Sequence, residues 1–396
     1  MSSHHTSRHA AARHDLVPPP PETAVDFPVL DTLRAVGAFA VLTTHVAFWS
    51  GATFVPGLQG TLLARLDVGV AIFFVLSGFL LSRGWILAAT RGGRAPRTRS
   101  YLWKRVVRIF PVYFVAAVPA LWLLLDNRDL DVGDRISALL LLSTTTGGSF
   151  PSGLTHMWSL AVEMAFYLVL PLLMLVLVGR RGWSARRLVV GVALLWLAAI
   201  WWHLDLADRI QDHVAGTTTL WLPAYIGWFA MGIGLAAVQV CHDDAPSGWT
   251  RGLATLGRQP GACWTLVAGL LLLSATPLAG PTQLVPADDA AALTKSVLYA
   301  GIGFLIVLTG VFTSAASRYV QVLTLPWLRR LGWISYGVFC LHLPLLHFVM
   351  WVTGWPLFEG RGIPIWLLTV ALSLVTADLV YRFVERPALR WKRLVR

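Results

Sequence analysis

FPVLDTLRAVGAFAVLTTHVAFW, residues 27–49, is an apolar segment long enough to cross a bilayer as one helix, because a hydrocarbon core of roughly 30 Å needs about 20 apolar residues. The segment also carries Asp31, Arg34 and His45. Each ionisable group in such a span costs about 2.5 kcal/mol or more unless it meets a partner or a water-filled cavity. Asp31 and Arg34 can pair, and Arg34 and His45 lie about 16 Å apart along one face. The segment therefore predicts a membrane helix with a polar stripe.

The composition of the whole chain is typical of a membrane protein. Hydrophobic residues make up 56% of its 396 residues and charged residues 13%, about half the charged share of soluble domains. The net charge of +12 arises in short loops between apolar segments, so it indicates membrane topology and no nucleic-acid partner. Cys241, Cys263 and Cys340 form neither a disulfide framework nor a metal-ligand pattern, so we expect no metal.

Ten apolar segments predict an all-α bundle of about ten transmembrane helices. These segments are 27–49, 67–89, 109–125, 157–178, 188–203, 218–239, 262–279, 293–314, 332–350 and 364–383. Most of the 32 Lys and Arg residues fall on the side of the N-terminus, so the positive-inside rule places both termini in the cytoplasm. We expect a disordered cytoplasmic tail at 1–26, a transmembrane domain at 27–387 and a basic cytoplasmic tail at 388–396. An extra partial helix is expected at 136–146.

Arg105 and Arg108 form a basic pair in YLWKRVVRIFPVY, three residues apart on one helix face. Paired guanidinium groups bind phosphate through bidentate hydrogen bonds, so the pair is a candidate phosphate site. An anchor to lipid headgroups at the membrane surface is the alternative. Pro111 is expected to limit where this span begins. In the preceding span, the small residues Gly69, Ser77 and Gly78 permit close helix packing.

The segment GGSFPSGLTHMWSLAVEMAFYLVL, residues 147–170, carries His156, Ser159 and Glu163 along one helix face. A carboxylate facing lipid at this depth is very unfavourable, so Glu163 is expected to face the bundle interior, at a depth similar to that of His45. A carboxylate bonded to one imidazole nitrogen makes the other a better base, so Glu163 is expected to orient His45. Pairs of Glu163 with a structural Arg or Ser, and of His45 with a neighbouring helix, are the alternatives.

Two polar features lie near the end of the chain. His342 lies in mid-membrane, two residues before Pro344, where a kink could open a cavity; a hydrogen bond between helices is the alternative. Asp378 and Arg382 are four residues apart, as are Tyr381 and Glu385, which predicts an ion-paired helix terminus.

Six motifs, taken in order, resemble the acyltransferase 3 family of polytopic bacterial membrane proteins, which O-acylate surface sugars, lipids and secreted small molecules. They are LDTLRAVGAFAVLTTH, GVAIFFVLSGFL, RVVRIFPVY, HMWSLAVEMAFYLVLPLL, ISYGVFCLHLPLL and YRFVERP. The resemblance covers residues 27–387. Met164 stands where the family often has a second acidic residue.

The resemblance implies an O-acyltransferase in the bacterial inner membrane, with Arg34 and His45 at the positions most associated with activity. Glu163 matches the Glu of the family's fourth-span motif, and Arg105 and Arg108 match its basic pair. The donor is expected to be an acyl-CoA, with acetyl-CoA as the favoured one, and to bind through its phosphates. The acceptor is expected to be a carbohydrate, glycolipid or secreted glycoside. We expect His45, Glu163 and Arg34 to be catalytic residues. Arg105, Arg108 and Arg34 are expected to bind the donor, and His156, Ser159 and His342 to bind the substrate. His45 would act as general base.

A transporter or flippase is the competing class, with the same intramembrane groups as substrate or proton-relay sites. Transporters commonly show internal repeats, and the two halves of this chain share no convincing similarity. The polar groups are also concentrated in the first four spans. An inactive membrane scaffold fits poorly with so many ionisable groups at depth.

Overall fold

The structure is a computed structural model that describes residues 27–179, 182–282, 285 and 287–395. The tail expected at 1–26 lies outside the described residues, as does Arg396 at the end of the expected basic tail. Within the described ranges every regular element is a helix and no strand occurs, so the all-α prediction is confirmed.

Ten apolar helices occupy the described chain at the ten predicted positions, and we number them in chain order. They are α1 Val29–Trp49, α2 Gly69–Thr90, α3 Thr98–Leu123, α4 Trp158–Leu177, α5 Ala185–Trp201, α6 Leu222–Asp244, α7 Pro260–Ser274, α8 Asp289–Phe312, α9 Pro326–Thr353 and α10 Gly362–Val380. Nine of the described helices are long and apolar enough to cross a membrane. The exception is α7, whose 15 residues extend about 22 Å, short of a typical hydrocarbon core.

The beginning of α3 differs from the prediction. The helix begins at Thr98 and continues through Pro111 and Pro119, so Pro111 does not mark its start. An interior proline removes one backbone hydrogen bond, which packed membrane helices tolerate because neighbouring helices and local adjustment satisfy the freed group. The partial helix expected at 136–146 is two short helices, Val132–Leu139 and Ser143–Thr146.

The crossing of α2 and α6 is a direct backbone contact. A Cβ atom added to Gly78 would collide with the carbonyl oxygen of Phe229, and one added to Gly232 would collide with that of Val75. Without a hydrophobic driving force between helices in lipid, such close approach provides the packing energy. The small residue at position 78 therefore has the packing role predicted from the sequence.

Gly232→Ala should lower the free energy of unfolding by about 1–3 kcal/mol, because the new methyl group forces two backbones apart. Gly234 on the same helix is the matched control, since its Cβ would meet nothing closer than Val192 at 4.0 Å. Gly234→Ala should leave stability unchanged or raise it, since alanine favours helix by about 1 kcal/mol over glycine. Thermal unfolding in detergent measures both, and equal melting temperatures for the two variants would contradict the packing role.

Candidate active site: a basic cavity beside a histidine cluster

The bundle has two ends that the direction of α1 distinguishes. Near the start of α9, the Trp333 indole nitrogen donates to the Asp31 carboxylate at 3.1 Å, near the start of α1. Further along both helices, His342 is bonded to His45 at 2.9 Å. The helices α1 and α9 therefore run parallel. We call the end where they begin the proximal end and the end where they finish the distal end.

A cavity lies among α1, α2, α3, α4 and α9, and we call it the proximal cavity. Its polar lining consists of Arg34, Ser77, Arg105, Arg108, Ser159, Glu163, Tyr167, Ser335 and Tyr336. Apolar side chains that include Phe73, Phe74 and Phe339 complete it. Five of the predicted site residues, from three different helices, thus meet around one space. The predicted inward orientation of Glu163 agrees with its position there.

Positive charge dominates the proximal cavity, whose lining has three guanidinium groups and one carboxylate. Arg34 Nη1 lies 3.6 Å from Asp31 Oδ1, so the predicted pair is present but long. The other oxygen of Asp31 lies 3.3 Å from Arg329. The buried Nε of Arg105 has no hydrogen-bond partner among the described residues. An unpaired buried donor is costly, so the cavity is suited to an anionic ligand with several acceptor oxygens.

The Glu163 carboxylate is held by hydroxyl groups. Its Oε1 accepts hydrogen bonds from Ser77 and, at 2.6 Å, from Tyr167. The predicted contact between Glu163 and His45 is wrong, because His45 Nδ1 is bonded to His342 instead. Glu163 lies seven residues beyond His156, about 10 Å along α4 toward the proximal end. The alternative of a serine partner for Glu163 is therefore the one the structure contains.

Three imidazole rings pack together on the distal side of the proximal cavity, and we call them the histidine cluster: His45, His156 and His342. Ring centroids are 5.1 Å apart for His45 and His342, 4.6 Å for His156 and His342, and 5.8 Å for His45 and His156. His342 is fully buried and His156 nearly so. In the described part of the chain, no group of His, Cys, Asp and Glu side chains has the arrangement of a metal site.

One backbone carbonyl sets the tautomers of this cluster. Phe339 O is 2.7 Å from His342 Nδ1 and 2.9 Å from His156 Nε2, and a carbonyl only accepts, so both nitrogens carry hydrogen. In the neutral ring, His342 Nε2 is then an acceptor, so the hydrogen of the His45–His342 bond belongs to His45 Nδ1. His45 Nε2 is therefore the unprotonated nitrogen of that ring. Among the described residues, no side chain is hydrogen-bonded to this nitrogen.

Phe339 also links the cluster to the proximal cavity. Its ring lines that cavity, lies 5.1 Å from the His156 ring and packs edge-on against Phe73 at 5.7 Å. None of the three histidines is among the residues that line the proximal cavity. The structure therefore separates the predicted site residues into two groups, with Arg34, Arg105, Arg108, Ser159 and Glu163 in the cavity and the histidines one layer further toward the distal end.

Two features of this site were missed in the sequence. Tyr167 lies one helical turn after Glu163, a spacing that predicts contact, yet its hydroxyl was not considered as a partner. Ser77 was interpreted as a packing residue, although its hydroxyl donates to Glu163 from another helix. No sequence signal reveals the Phe339 carbonyl, because a backbone atom leaves no mark on residue identity.

Fold and site together define a polytopic membrane protein with a basic cavity beside buried histidines. A family model described as an acyltransferase domain matches residues 27–382, and the chain belongs to this acyltransferase 3 family. The chain is therefore a multi-pass membrane O-acyltransferase. This membership decides between the enzyme and the transporter in favour of the enzyme.

Similar proteins span much of the chain. Nodulation protein 10 of Rhizobium leguminosarum is 28% identical, over 91% of this chain and 92% of its own length. A putative peptidoglycan O-acetyltransferase of Bacillus subtilis is 26% identical, over 91% of this chain and 54% of its own length. The peptidoglycan O-acetyltransferase of Listeria monocytogenes is 24% identical, over 91% of this chain and 55% of its own length. The chain spans about half the length of the last two. No solved structure is significantly similar to it.

Proposed function

We propose that the chain transfers an acyl group from acyl-CoA to a hydroxyl group of an extracytoplasmic carbohydrate, glycolipid or secreted glycoside. Acetyl is the acyl group that we favour. The observation that carries this proposal is the basic proximal cavity, which ends beside a histidine whose free nitrogen is fixed by a chain of hydrogen bonds. An acyl-CoA has phosphates at one end and a thioester at the other. The phosphates match the basic cavity, and the thioester would lie at the end of the cavity beside the histidine.

The proposed orientation places the proximal end in the cytoplasm of a bacterial cell, with the protein in the inner membrane. Most Lys and Arg residues of the chain lie in segments at this end, as the positive-inside rule requires. Acyl-CoA is made in the cytoplasm, so this orientation gives the donor direct access to the proximal cavity. The cytoplasmic tails at 1–26 and 388–396 belong to the same proposal.

The donor's phosphates would bind to Arg105, Arg108 and Arg34. Guanidinium groups bind phosphate oxygens in bidentate fashion, and Arg105 offers a buried N–H that has no partner among the described residues. The apolar part of the cavity, including Phe73, Phe74 and Phe339, would hold the pantetheine arm. Ser159 and Glu163 lie between these regions as polar contacts along the arm.

His45 would be the general base. Its Nε2 takes the proton from the acceptor hydroxyl, the hydroxyl oxygen bonds to the thioester carbonyl carbon, and the carbon–sulfur bond breaks. The protonated His45 then returns the proton to the departing thiolate, so His45 ends neutral. His342 is a positioning residue in this scheme, because its hydrogen bond fixes the tautomer of His45. Glu163 is proposed to act from the donor cavity, with no contact to His45.

A carbohydrate acceptor is proposed because two similar proteins are named as peptidoglycan O-acetyltransferases, one of them putatively. Peptidoglycan lies outside the inner membrane, so its hydroxyl groups would approach from the distal end. Membrane lipids would surround the bundle, and no nucleic acid takes part.

The test uses purified protein in lipid nanodiscs with acetyl-CoA labelled in the acetyl group. We expect free CoA to appear and the label to pass to glycans extracted from the cell surface, both only when protein, donor and glycan extract are present. A panel of propionyl-CoA and longer acyl-CoAs would establish the preferred acyl group. Absence of CoA release from folded protein with every donor would overturn the acyl-CoA assignment.

A further inference from the structure

A second cavity lies at the distal end, and we call it the distal cavity. It is formed by the segment that precedes α2 and by the distal ends of α4, α5, α6 and α8. Val70 lines both cavities, and Trp158 lines the distal cavity while its neighbour Ser159 lines the proximal one. The two cavities therefore approach each other in the middle of the bundle.

The histidine cluster lies close to the distal cavity as well. Thr44, next to His45 in the chain, donates a hydrogen bond at 3.1 Å to the carbonyl oxygen of Ala64, a lining residue. Asp67, which also lines the cavity, lies within electrostatic range of the His45 ring. A ligand in the distal cavity would thus occupy the side of the cluster opposite the proximal cavity.

Aromatic rings with free polar atoms characterise the distal cavity. Trp158 and Tyr225 pack with ring centroids 5.0 Å apart, and both are partly exposed. Neither the Trp158 indole N–H nor the Tyr225 hydroxyl is hydrogen-bonded to a described residue. Such rings offer an apolar face together with a polar group at the edge. A sugar ring has the complementary form, with a C–H face and hydroxyl groups around its rim.

Further polar groups of the lining also lack partners among the described residues. Asp208 is exposed and has no hydrogen bond there. His203 donates through Nδ1 to Ala199 O at 2.8 Å, which leaves Nε2 as an acceptor. Arg65 is 2% exposed, is bonded to Ala279 O at 3.0 Å, and has a buried Nε with no partner. The cavity therefore offers both donors and acceptors to a ligand.

The charge of the distal cavity differs from that of the proximal one. Arg65 and Lys295 are offset by Asp67, Asp208 and Asp289, and the Lys295–Asp67 pair is closed at 2.7 Å. No excess of positive charge is available for a phosphate or another anion. In addition, Trp202 and His203 belong to a π-helical turn, Trp202–Leu206, a feature that is frequent at functional sites.

From these observations we infer that the distal cavity binds the acceptor, as a neutral sugar ring stacked on Trp158 and Tyr225 and hydrogen-bonded to Asp208. This inference rests on the proposed function for the identity of the acceptor. It adds where the acceptor binds and that the bound sugar is uncharged. The reacting hydroxyl would point from the distal cavity toward the histidine cluster. Donor and acceptor would then approach the cluster from opposite ends of the bundle.

The test measures saccharide binding in the absence of any donor. Cellotetraose, chitotetraose and maltotetraose are added to the full-length protein in nanodiscs, and saturation-transfer difference NMR reports the contact of sugar protons with the protein. At least one oligosaccharide should bind, and the Asp208→Asn, Tyr225→Phe double variant should raise its Kd about tenfold or more. It replaces the charged carboxylate acceptor by a neutral amide and removes the Tyr225 hydroxyl, with little change of shape.

Asp212→Asn is the matched control, since Asp212 is exposed nearby and does not line the cavity. It should bind the oligosaccharide like wild type. Equal Kd values for wild type and the double variant, or no binding of any of the three sugars, would overturn the inference. Because no donor is present, this outcome is separate from a failure of acetyl-CoA to act as substrate.

Discussion

His45→Ala should abolish detectable acyl transfer while the protein remains folded. In the proposed mechanism, His45 Nε2 removes the proton from the acceptor hydroxyl, and a positioned base contributes typically 10² to 10⁴ in rate. The side chain is only partly buried, and its hydrogen bonds are to His342 and to the backbone of Val41 in its own helix. Its removal should therefore cost little stability. Release of CoA and transfer of label, measured alongside the thermal unfolding of wild type and variant, separate loss of catalysis from loss of fold.

His342→Ala is the informative companion of this variant. It removes the acceptor that fixes the His45 tautomer and leaves the base itself in place, so kcat should fall by less than in His45→Ala. The pH profile of kcat should also change, because the partner of the titrating ring is gone. His347→Ala serves as control, since His347 lies on the same helix and contacts Trp49 rather than His45. Normal acylation by folded His45→Ala would exclude His45 as the base.

The positions of the helices were predictable because bilayer thickness sets the length of an apolar span. Predicted segment 27–49 is observed as Val29–Trp49, and 364–383 as Gly362–Val380. The helix Leu58–Arg65 was not predicted, since its eight residues are too short for a clear period. That short helix supplies Ala64 and Arg65 to the distal cavity, so a cavity was missed together with the element.

The partners within the site were harder to predict than the site residues. Depth along a helix follows from residue count, and it placed Arg34 and His45 far apart along α1. The rotation of one helix against another does not follow from one sequence, so Glu163 was paired with His45 when His156 lies nearer the ring. The mid-membrane position of His342 was predicted, and a hydrogen bond between helices was one of two alternatives for it. The sequence did not identify His45 as the partner.

The second prediction with a large expected effect concerns the donor site. Arg105→Gln combined with Arg108→Gln should raise the KM for acetyl-CoA by about 100-fold or more and change kcat much less. A hydrogen bond to a charged group contributes about 1.5–3 kcal/mol, and two such groups are lost from the proximal cavity. The effect falls on KM because the phosphates are remote from the reacting thioester and bind equally in ground and transition states.

Two controls make this result specific to phosphate recognition. Lys104→Gln removes the same charge from the neighbouring position, which is exposed and outside the cavity lining, so its KM should match wild type. Acetyl-pantetheine has the thioester and the arm of the donor but no phosphate. Its KM should therefore be high for wild type and unchanged by the double variant, because the guanidinium groups have no phosphate to bind. If the double variant raised the KM of both donors equally, the two arginines would shape the cavity rather than bind phosphate. If it raised neither, they would be anchors at the membrane surface, the alternative left open by the sequence.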